Sequence, residues 1–217
     1  MVSDEEVRPV VALDVDGVLN AAIGPEHIIT IPAAALPKSP FIFGEGYLDL
    51  TLALHLDEAL GPWITALRER AVVVWASTWE GAANSHLAPL LGIDPLPVGA
   101  TVEDQALMKG HATGWGVVEW KAAALADRYA GRPLVWVDDL AGPYTPQAAE
   151  LERLGRVWWD WRVDRDVHAR RRAAPTLVLV PNPLLGITAG DRELVTEWVA
   201  DPWRHPHPVG PERRPTE

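Results

Sequence analysis

Short apolar runs without polar alternation recur along the chain, and most of them end in polar residues. Four of them cover residues 7–15, 71–76, 134–137 and 176–180, and a weaker one covers residues 96–98. Short runs rich in valine and leucine are typical of strands that are buried on both faces of a parallel sheet. The pattern therefore predicts about five parallel strands.

Segments with helical character separate these runs. They cover residues 57–70, 80–91, 118–130, 146–172 and 191–199. Thr188 and Asp191 give the last segment a capping-box-like start. Strands that alternate with helices predict an α/β fold with right-handed crossovers. We therefore expect a Rossmann-like, three-layer parallel sheet.

One insertion interrupts the alternation of strands and helices. Residues 21–56 hold two apolar segments, 27–31 and 47–56, which are separated by a stretch rich in proline and glycine. This arrangement predicts a small β-hairpin flap, or small cap, rather than a separate domain. We expect residues 1–204 to form a single domain and residues 205–217 to form a disordered tail.

Composition narrows the class of protein. The 217 residues include no cysteine, which excludes disulfides and thiolate metal sites. The net charge of −11 argues against a general nucleic-acid coat, though not against a local basic site. The sequence shows no secretory signal and no apolar run approaching the ~18 residues of a membrane span. We expect a cytoplasmic protein that meets no membrane and has no obligate protein partner.

Candidate chemistry lies where three of the apolar runs end. The first run is followed by Asp14 and Asp16, the second by Ser77 and Thr78, and the third by Asp138 and Asp139. Lys121 is predicted to open the helix before the third run. Ligands of open parallel sheets bind beyond the carboxyl ends of the strands, so these side chains should converge on one edge. Several carboxylates there need a cation to offset their repulsion, and an all-oxygen ligand set favours Mg²⁺. The acids are therefore predicted to share a metal and to handle a phosphoryl group.

Taken in order, these motifs resemble the haloacid dehalogenase (HAD) superfamily of aspartyl-phosphate phosphatases. The motifs are a strand followed by Asp-x-Asp-Gly (residues 14–17), a strand ending in Ser or Thr (Ser77 or Thr78), a lysine (Lys121) and a strand ending in acids (Asp138 and Asp139). The resemblance covers about residues 8–200. It implies a Mg²⁺-dependent phosphohydrolase, that is, a phosphoric monoester hydrolase.

The resemblance also implies catalytic roles. Asp14 would be the nucleophile that forms the aspartyl-phosphate, and Asp16 would be the general acid and then the base for water. Lys121 would offset charge that develops in the transition state. Phosphoryl oxygens would be bound by Lys121 and by Ser77 or Thr78.

A metal-binding set follows from the same resemblance. Asp14, the backbone carbonyl of Asp16 and Asp138 would hold Mg²⁺. Asp139 would be an alternate or an outer ligand, and the assignment between Asp138 and Asp139 stays open.

A closer resemblance is to small bacterial HAD domains that are related to the HAD domains of Swiss Army Knife RNA-repair proteins. It is carried by residues 18–20, residues 75–80 with Asn84, and residues 185–188. It implies a phosphorylated substrate that is a small molecule or a nucleic-acid end. Within residues 75–80, Trp79 is a candidate to line the site, but packing is the favoured interpretation.

Two other classes of protein compete with a phosphatase. A catalytically silent HAD-like binding module is one, and the intact Asp14 and Asp16 argue against it. A receiver-like phosphoacceptor domain is the other. In receiver domains the lysine follows the phosphorylated aspartate and the early acids, whereas Lys121 precedes the final acid pair. Release of phosphate from an aryl phosphate in the presence of Mg²⁺ would separate the phosphatase from both.

Overall fold

The structure is a computed structural model, and it describes residues 8–22, 24–32, 49–101, 116–144 and 174–204. Six strands are described: β1 (Val10–Leu13), β2 (Glu26–Ile31), β3 (Leu50–His55), β4 (Val72–Trp75), β5 (Leu134–Val137) and β6 (Thr176–Leu179). The α-helices are α1 (Leu60–Arg68), α2 (Ala88–Leu91), α3 (Gly116–Arg128) and α4 (Ala189–Ala200). A π-helical turn, Ala83–Leu87, precedes α2, and 3₁₀ turns occupy Gly142–Tyr144 and Pro202–Arg204.

A parallel sheet of four strands, in the order β4-β1-β5-β6, forms the centre of the described chain. β1 lies between β4 and β5 and is fully buried, as its uninterrupted apolar sequence predicts. The fold is therefore mixed α/β, in agreement with the predicted class.

Helices pack against both faces of this sheet. Val11 and Leu13 of β1 belong to one apolar cluster, which also includes buried residues of α1 and α4. Val10 and Ala12 face the other way, into a second cluster with residues of α3. Because side chains alternate along a strand, each face of β1 meets a different helical layer.

The weakest predicted strand does not form a strand in the described chain. Residues 96–98 run beside β4, but Val98 makes only a single parallel bridge, to Trp75. Two backbone bonds form this bridge, from Trp75 N to Pro97 O (2.9 Å) and from Gly99 N to Trp75 O (2.6 Å). The side chain of Asn84 also holds the segment, because it accepts from Leu96 N (2.8 Å) and donates to Leu96 O (2.8 Å). Four strands, not five, are therefore paired within the described part of the sheet.

The insertion after β1 contains a small antiparallel sheet of two strands, β2 and β3. One side of it is exposed and carries Thr30 and Thr51 but also Ile28, whereas Ile31 and Leu54 are buried. Its base is joined to the loop after β1, where Asn20 pairs with Leu56 and accepts a hydrogen bond from His55 N (2.9 Å). The predicted flap strands are present, at the bounds given above.

The helices of the structure follow the predicted positions, with shifted ends. α4 begins at the predicted capping box, in which Thr188 accepts from Asp191 N and Asp191 accepts from Thr188 N. The predicted helix 146–172 and the predicted tail 205–217 lie outside the described residues. No helix among the described residues is both long and apolar enough to cross a membrane.

Candidate active site

The carboxyl ends of the parallel strands bring the predicted polar residues to one edge of the sheet. Asp14 and Asp138 directly follow β1 and β5, and their backbone amides continue the ladder: Asp14 N donates to Val137 O (3.0 Å) and Asp138 N to Leu179 O (3.1 Å). On the other side of β1, Ala76 N, just after β4, donates to Leu13 O (2.8 Å). Ser77, the next residue, is therefore held near the end of β1.

A buried lysine joins two of the predicted acids. Nζ of Lys121 lies 2.7 Å from Oδ2 of Asp14 and 2.8 Å from Oδ2 of Asp138. Lys121 is 1% exposed and Asp138 is 0% exposed, so the three charges are withdrawn from water. Charged side chains are almost never buried this far unless they are paired. These contacts therefore account for the burial of Lys121, which lies within α3 rather than at its start.

The electrostatics of this cluster follow from burial and from the close charges. Burial alone would lower the pKa of Lys121, but the carboxylates of Asp14 and Asp138 outweigh it and raise the pKa above its ordinary value. Burial raises the pKa of Asp138 to about 6; Asp14 adds to this rise, whereas Lys121 opposes it. Burial, followed by the charge of Asp14, also raises the pKa of Asp139. The cluster has more negative charge than Lys121 can balance.

Asp139 completes a group of three carboxylates. Oxygens of Asp14, Asp138 and Asp139 lie within 4.8 Å of one another, a spacing that could hold a metal ion. Asp139 is half-buried, and its carboxylate lies against Gly17: a Cβ at Gly17 would be 2.6 Å from its Cγ. The turn after β1 therefore bounds the acid cluster on one side.

The donor set fits a hard divalent cation. All of its ligand atoms are carboxylate oxygens, which Mg²⁺ and Ca²⁺ prefer. Oδ1 of Asp14 accepts from Val15 N (2.8 Å) and Oδ1 of Asp138 accepts from Leu140 N (2.9 Å). A carboxylate offers about four lone-pair sites. Each of these two acids therefore retains acceptor capacity besides its bonds to Lys121 and to the backbone.

Asp16 lies outside the cluster and is exposed. Its Oδ2 accepts from the indole Nε1 of Trp79 (2.8 Å), and its Oδ1 accepts from Nδ2 of Asn20 (3.0 Å). Trp79 therefore combines the two roles that the sequence left open: its ring is buried, and its N–H contacts a predicted catalytic acid. Asp16 and Trp79 are 63 positions apart, and no local pattern signals such a contact.

Ser77 and Thr78 form the turn after β4. Ser77 is fully buried, Thr78 is 8% exposed, and the hydroxyl of Ser77 accepts from Trp79 N (3.3 Å). This turn caps its own backbone in the way that hydroxyl side chains commonly do. The geometry leaves both residues as candidates for binding a phosphoryl oxygen.

The structure thus brings together Asp14, Lys121, Asp138 and Asp139 as the sequence predicts. It places Asp16 beside them, bound to Asn20 and Trp79. Comparison of the chain with family models, with curated proteins and with solved structures finds no significant match.

Proposed function

We propose that this chain is a Mg²⁺-dependent phosphohydrolase of the HAD type, with a Rossmann-like, three-layer fold, that works through an aspartyl-phosphate. The observation that carries the proposal is the contact of one buried lysine with Asp14 and Asp138, the acids that end two adjacent central strands. A lysine held between two acids at the ligand-binding edge of a parallel sheet suits a site for a dianionic phosphoryl group.

The first half of the proposed reaction transfers the phosphoryl group to the protein. A carboxylate oxygen of Asp14 attacks phosphorus, an O–P bond forms, and the P–O bond to the leaving alcohol breaks. Asp16 donates a proton to the oxygen of the leaving alcohol. The ammonium of Lys121 offsets negative charge on the transferring group, which is worth most in a water-poor site.

The second half returns Asp14 to its starting state. Asp16, now a carboxylate, accepts a proton from water, and the water oxygen attacks the phosphorus of the aspartyl-phosphate. The acyl phosphate bond breaks, inorganic phosphate leaves, and Asp14 is again a free carboxylate. Protons and phosphate balance over the two halves, with no oxidant or further reactant.

Asp14, Asp138 and Asp139 would hold the Mg²⁺, with the backbone carbonyl of Asp16 as the further ligand that the resemblance implies. When bound, the ion supplies charge neutralisation and orientation to the phosphoryl oxygens. Ser77 or Thr78 would donate to another of these oxygens. The proposed substrate class is a nucleotide or a phosphorylated nucleic-acid end, on the resemblance of residues 18–20 and 185–188 to domains of RNA-repair proteins.

The test is trapping of a phosphoenzyme. Wild-type protein, 4-nitrophenyl phosphate and Mg²⁺ are mixed, quenched in acid and analysed by mass spectrometry for phosphate on Asp14. Asp14→Asn should form no phosphoenzyme and release no phosphate, because an amide cannot act as the carboxylate nucleophile. Asp94→Asn makes the same chemical change at a side chain that is 87% exposed, and it should behave as wild type.

Two results would overturn the proposal. One is an absence of phosphate release by wild-type protein across a panel of phosphorylated metabolites and phosphate-ended oligonucleotides. The other is phosphate carried by Asp16, or phosphoenzyme in Asp14→Asn, which would reverse the roles of the two acids.

A further inference from the structure

Both carboxylate oxygens of Asp16 are held by side chains that can only donate to them. The indole Nε1 of Trp79 lies 2.8 Å from Oδ2, and Nδ2 of Asn20 lies 3.0 Å from Oδ1. An exposed aspartate normally samples several rotamers in water. A donor on each of the two carboxylate oxygens restricts the Asp16 side chain to a single rotamer.

Trp79 is a rigid donor. Its ring is 2% exposed and packs in the main apolar cluster, and its backbone N–H donates to the hydroxyl of Ser77 (3.3 Å). A buried tryptophan has only two side-chain torsions, and close packing fixes both. The position of its N–H is therefore set by the core and by the turn after β4.

Asn20 is fixed from several directions. Its backbone N–H donates to Val15 O (2.9 Å), and its Oδ1 accepts from His55 N (2.9 Å). A backbone N–H can only donate and a carboxylate can only accept, so these two partners determine which end of the amide is oxygen. The Nδ2 group then has to face Asp16.

We propose that Trp79 and Asn20 are positioning residues that aim the carboxyl group of Asp16 at the leaving group and later at water. This inference rests on the proposed function. Neither side chain exchanges a proton with substrate, because an indole N–H and an amide do not titrate in the working range. They act through the orientation of Asp16, and proton transfer depends steeply on that geometry.

The decisive variant is Trp79→Phe, which removes the indole N–H and keeps an aromatic ring. The matched control is Trp75→Phe, at a buried tryptophan in β4 whose Nε1 donates to Asn84 Oδ1 (2.7 Å) rather than to a proposed catalytic group. Both variants remove one indole donor and part of a buried ring. Asn20→Ala is less clean, because it also frees the backbone of His55.

The readout is the dependence on the leaving group. 4-Nitrophenyl phosphate leaves readily without a proton, whereas 4-nitrobenzyl phosphate, of similar shape, leaves as a poor alkoxide. Trp79→Phe should lower kcat/KM for the benzyl ester at least ~10-fold more than for the phenyl ester, since general acid help is worth ~10²–10⁴-fold. Trp75→Phe should lower both values by the same factor or leave them unchanged.

A second measurement does not depend on activity. The indole N–H resonance of Trp79 is the one that disappears in Trp79→Phe, and in wild-type protein it should shift when Asp16 is changed to Ala. The resonance of Trp75 should stay in place. An unmoved Trp79 resonance would contradict the hydrogen bond on which the inference rests.

The inference and the proposed function fail in different ways. Active wild-type protein with an equal loss for the two esters in Trp79→Phe, or a Trp75→Phe variant that discriminates as strongly, overturns the inference alone. Wild-type protein that releases no phosphate from either ester or from the wider panel overturns the proposed function, and the catalytic meaning of the Trp79 contact with it.

Discussion

At the scale of single residues, Gly17 meets two demands that no other residue type satisfies. Its φ is +72°, and a Cβ would lie 2.6 Å from the carboxylate of Asp139. The left-handed conformation costs an L-residue roughly 1–2 kcal/mol, and the contact adds a displacement of Asp139. Gly131 has a similar φ of +74° but open space around it. Comparing the two glycines therefore separates the cost of the left-handed backbone from the effect of the contact with Asp139.

We expect Gly131→Ala to lower the free energy of unfolding by about 1–2 kcal/mol and to leave Mg²⁺ affinity unchanged. Gly17→Ala should cost more stability and also weaken Mg²⁺ binding, because the carboxylate of Asp139 has to move. Urea unfolding and calorimetric titration with Mg²⁺ measure the two quantities. Equal Mg²⁺ affinity in the two variants would show that Asp139 takes no part in holding the ion.

The raised pKa of the buried Asp138 predicts how the stability of the protein depends on pH. Its pKa in the folded protein is raised from 3.8 to about 6, so between these values the folded state holds a proton that the unfolded chain releases. Stability from this group is therefore present at low pH and is lost as the pH rises through about 6. In metal-free protein, the stability of wild type relative to Asp138→Asn should fall by on the order of 1–3 kcal/mol between about pH 4 and pH 7.

Asp57 provides the control of opposite sign. The backbone amide of Ala59, followed by the side chain of Arg192, lowers the pKa of Asp57, so its contribution is present above 3.8 and is lost as the pH falls. The stability of wild type relative to Asp57→Asn should therefore rise with pH. Urea unfolding in chelator across the pH range checks both slopes, and a rising difference for Asp138→Asn would contradict the prediction.

At the scale of elements, Asn84 in the π-helical turn supplements the single bridge between β4 and residues 96–98. It accepts from Trp75 Nε1 (2.7 Å) and from Leu96 N, and it donates to Leu96 O, so it joins β4 to residues 96–98. A hydrogen bond contributes about 0.5–1.5 kcal/mol net, and an unsatisfied buried donor costs more. This one side chain therefore stabilises the edge of the sheet beside β4.

Asn84→Ala should lower the free energy of unfolding by about 2–4 kcal/mol and should speed hydrogen exchange at the amides of Leu96 and Gly99. Asn182→Ala is the control, since the exposed side chain of Asn182 accepts a turn bond from Leu184 N (3.0 Å). It should cost about 1 kcal/mol or less. Unchanged exchange at Leu96 in Asn84→Ala would mean that other contacts hold the segment.

Much of the fold was predictable because most strands of its main sheet are buried. The apolar runs of β1, β4, β5 and β6 are short and continuous, the first three are followed by polar residues, and all four form one parallel sheet. The run at residues 96–98 carried a weaker form of this signal and pairs only at Val98. Pro97 lies within this run and has no N–H to extend a ladder.

The site divides in the same way. Asp14 and Asp138 were predictable because strand ends place residues at a known edge of the sheet. Lys121 lies within α3 and was predicted from its place ahead of the last acid pair. The hydrogen bond from Trp79 to Asp16 was not predictable, because it depends on how the turn after β4 packs against the turn after β1. Such a contact between two loops leaves no periodic trace in the sequence.

At the scale of the whole molecule, the net charge of −11 opposes the approach of anionic substrates. The insertion at residues 21–56 is too short for a separate cap domain, so we expect a site open enough for a polymeric ester. An oligonucleotide carries more charge into this field than a mononucleotide does. Salt should therefore raise kcat/KM more for the oligonucleotide, because it screens the repulsion. The Debye length is about 10 Å at 0.1 M.

We expect kcat/KM for a phosphate-ended oligonucleotide to rise with ionic strength at fixed free Mg²⁺, and to rise more steeply than for the matching mononucleotide. Steady-state rates from low salt to about 0.2 M decide this. A fall with salt for the oligonucleotide, the usual sign of counterion release from a basic surface, would show that a local positive patch dominates its binding.

The ammonium of Lys121 acts as an internal counter-ion, and this has a consequence for how the protein is made. A zinc finger is unfolded without its metal, because its ligands have no other partner. Here the amine of Lys121 already bridges Asp14 and Asp138, so the chain can complete its core while Mg²⁺ is scarce. If the proposed function holds, chelation should then leave the protein folded but inactive, and Mg²⁺ should restore its activity. A shortage of Mg²⁺ in a cell would change its activity rather than its abundance.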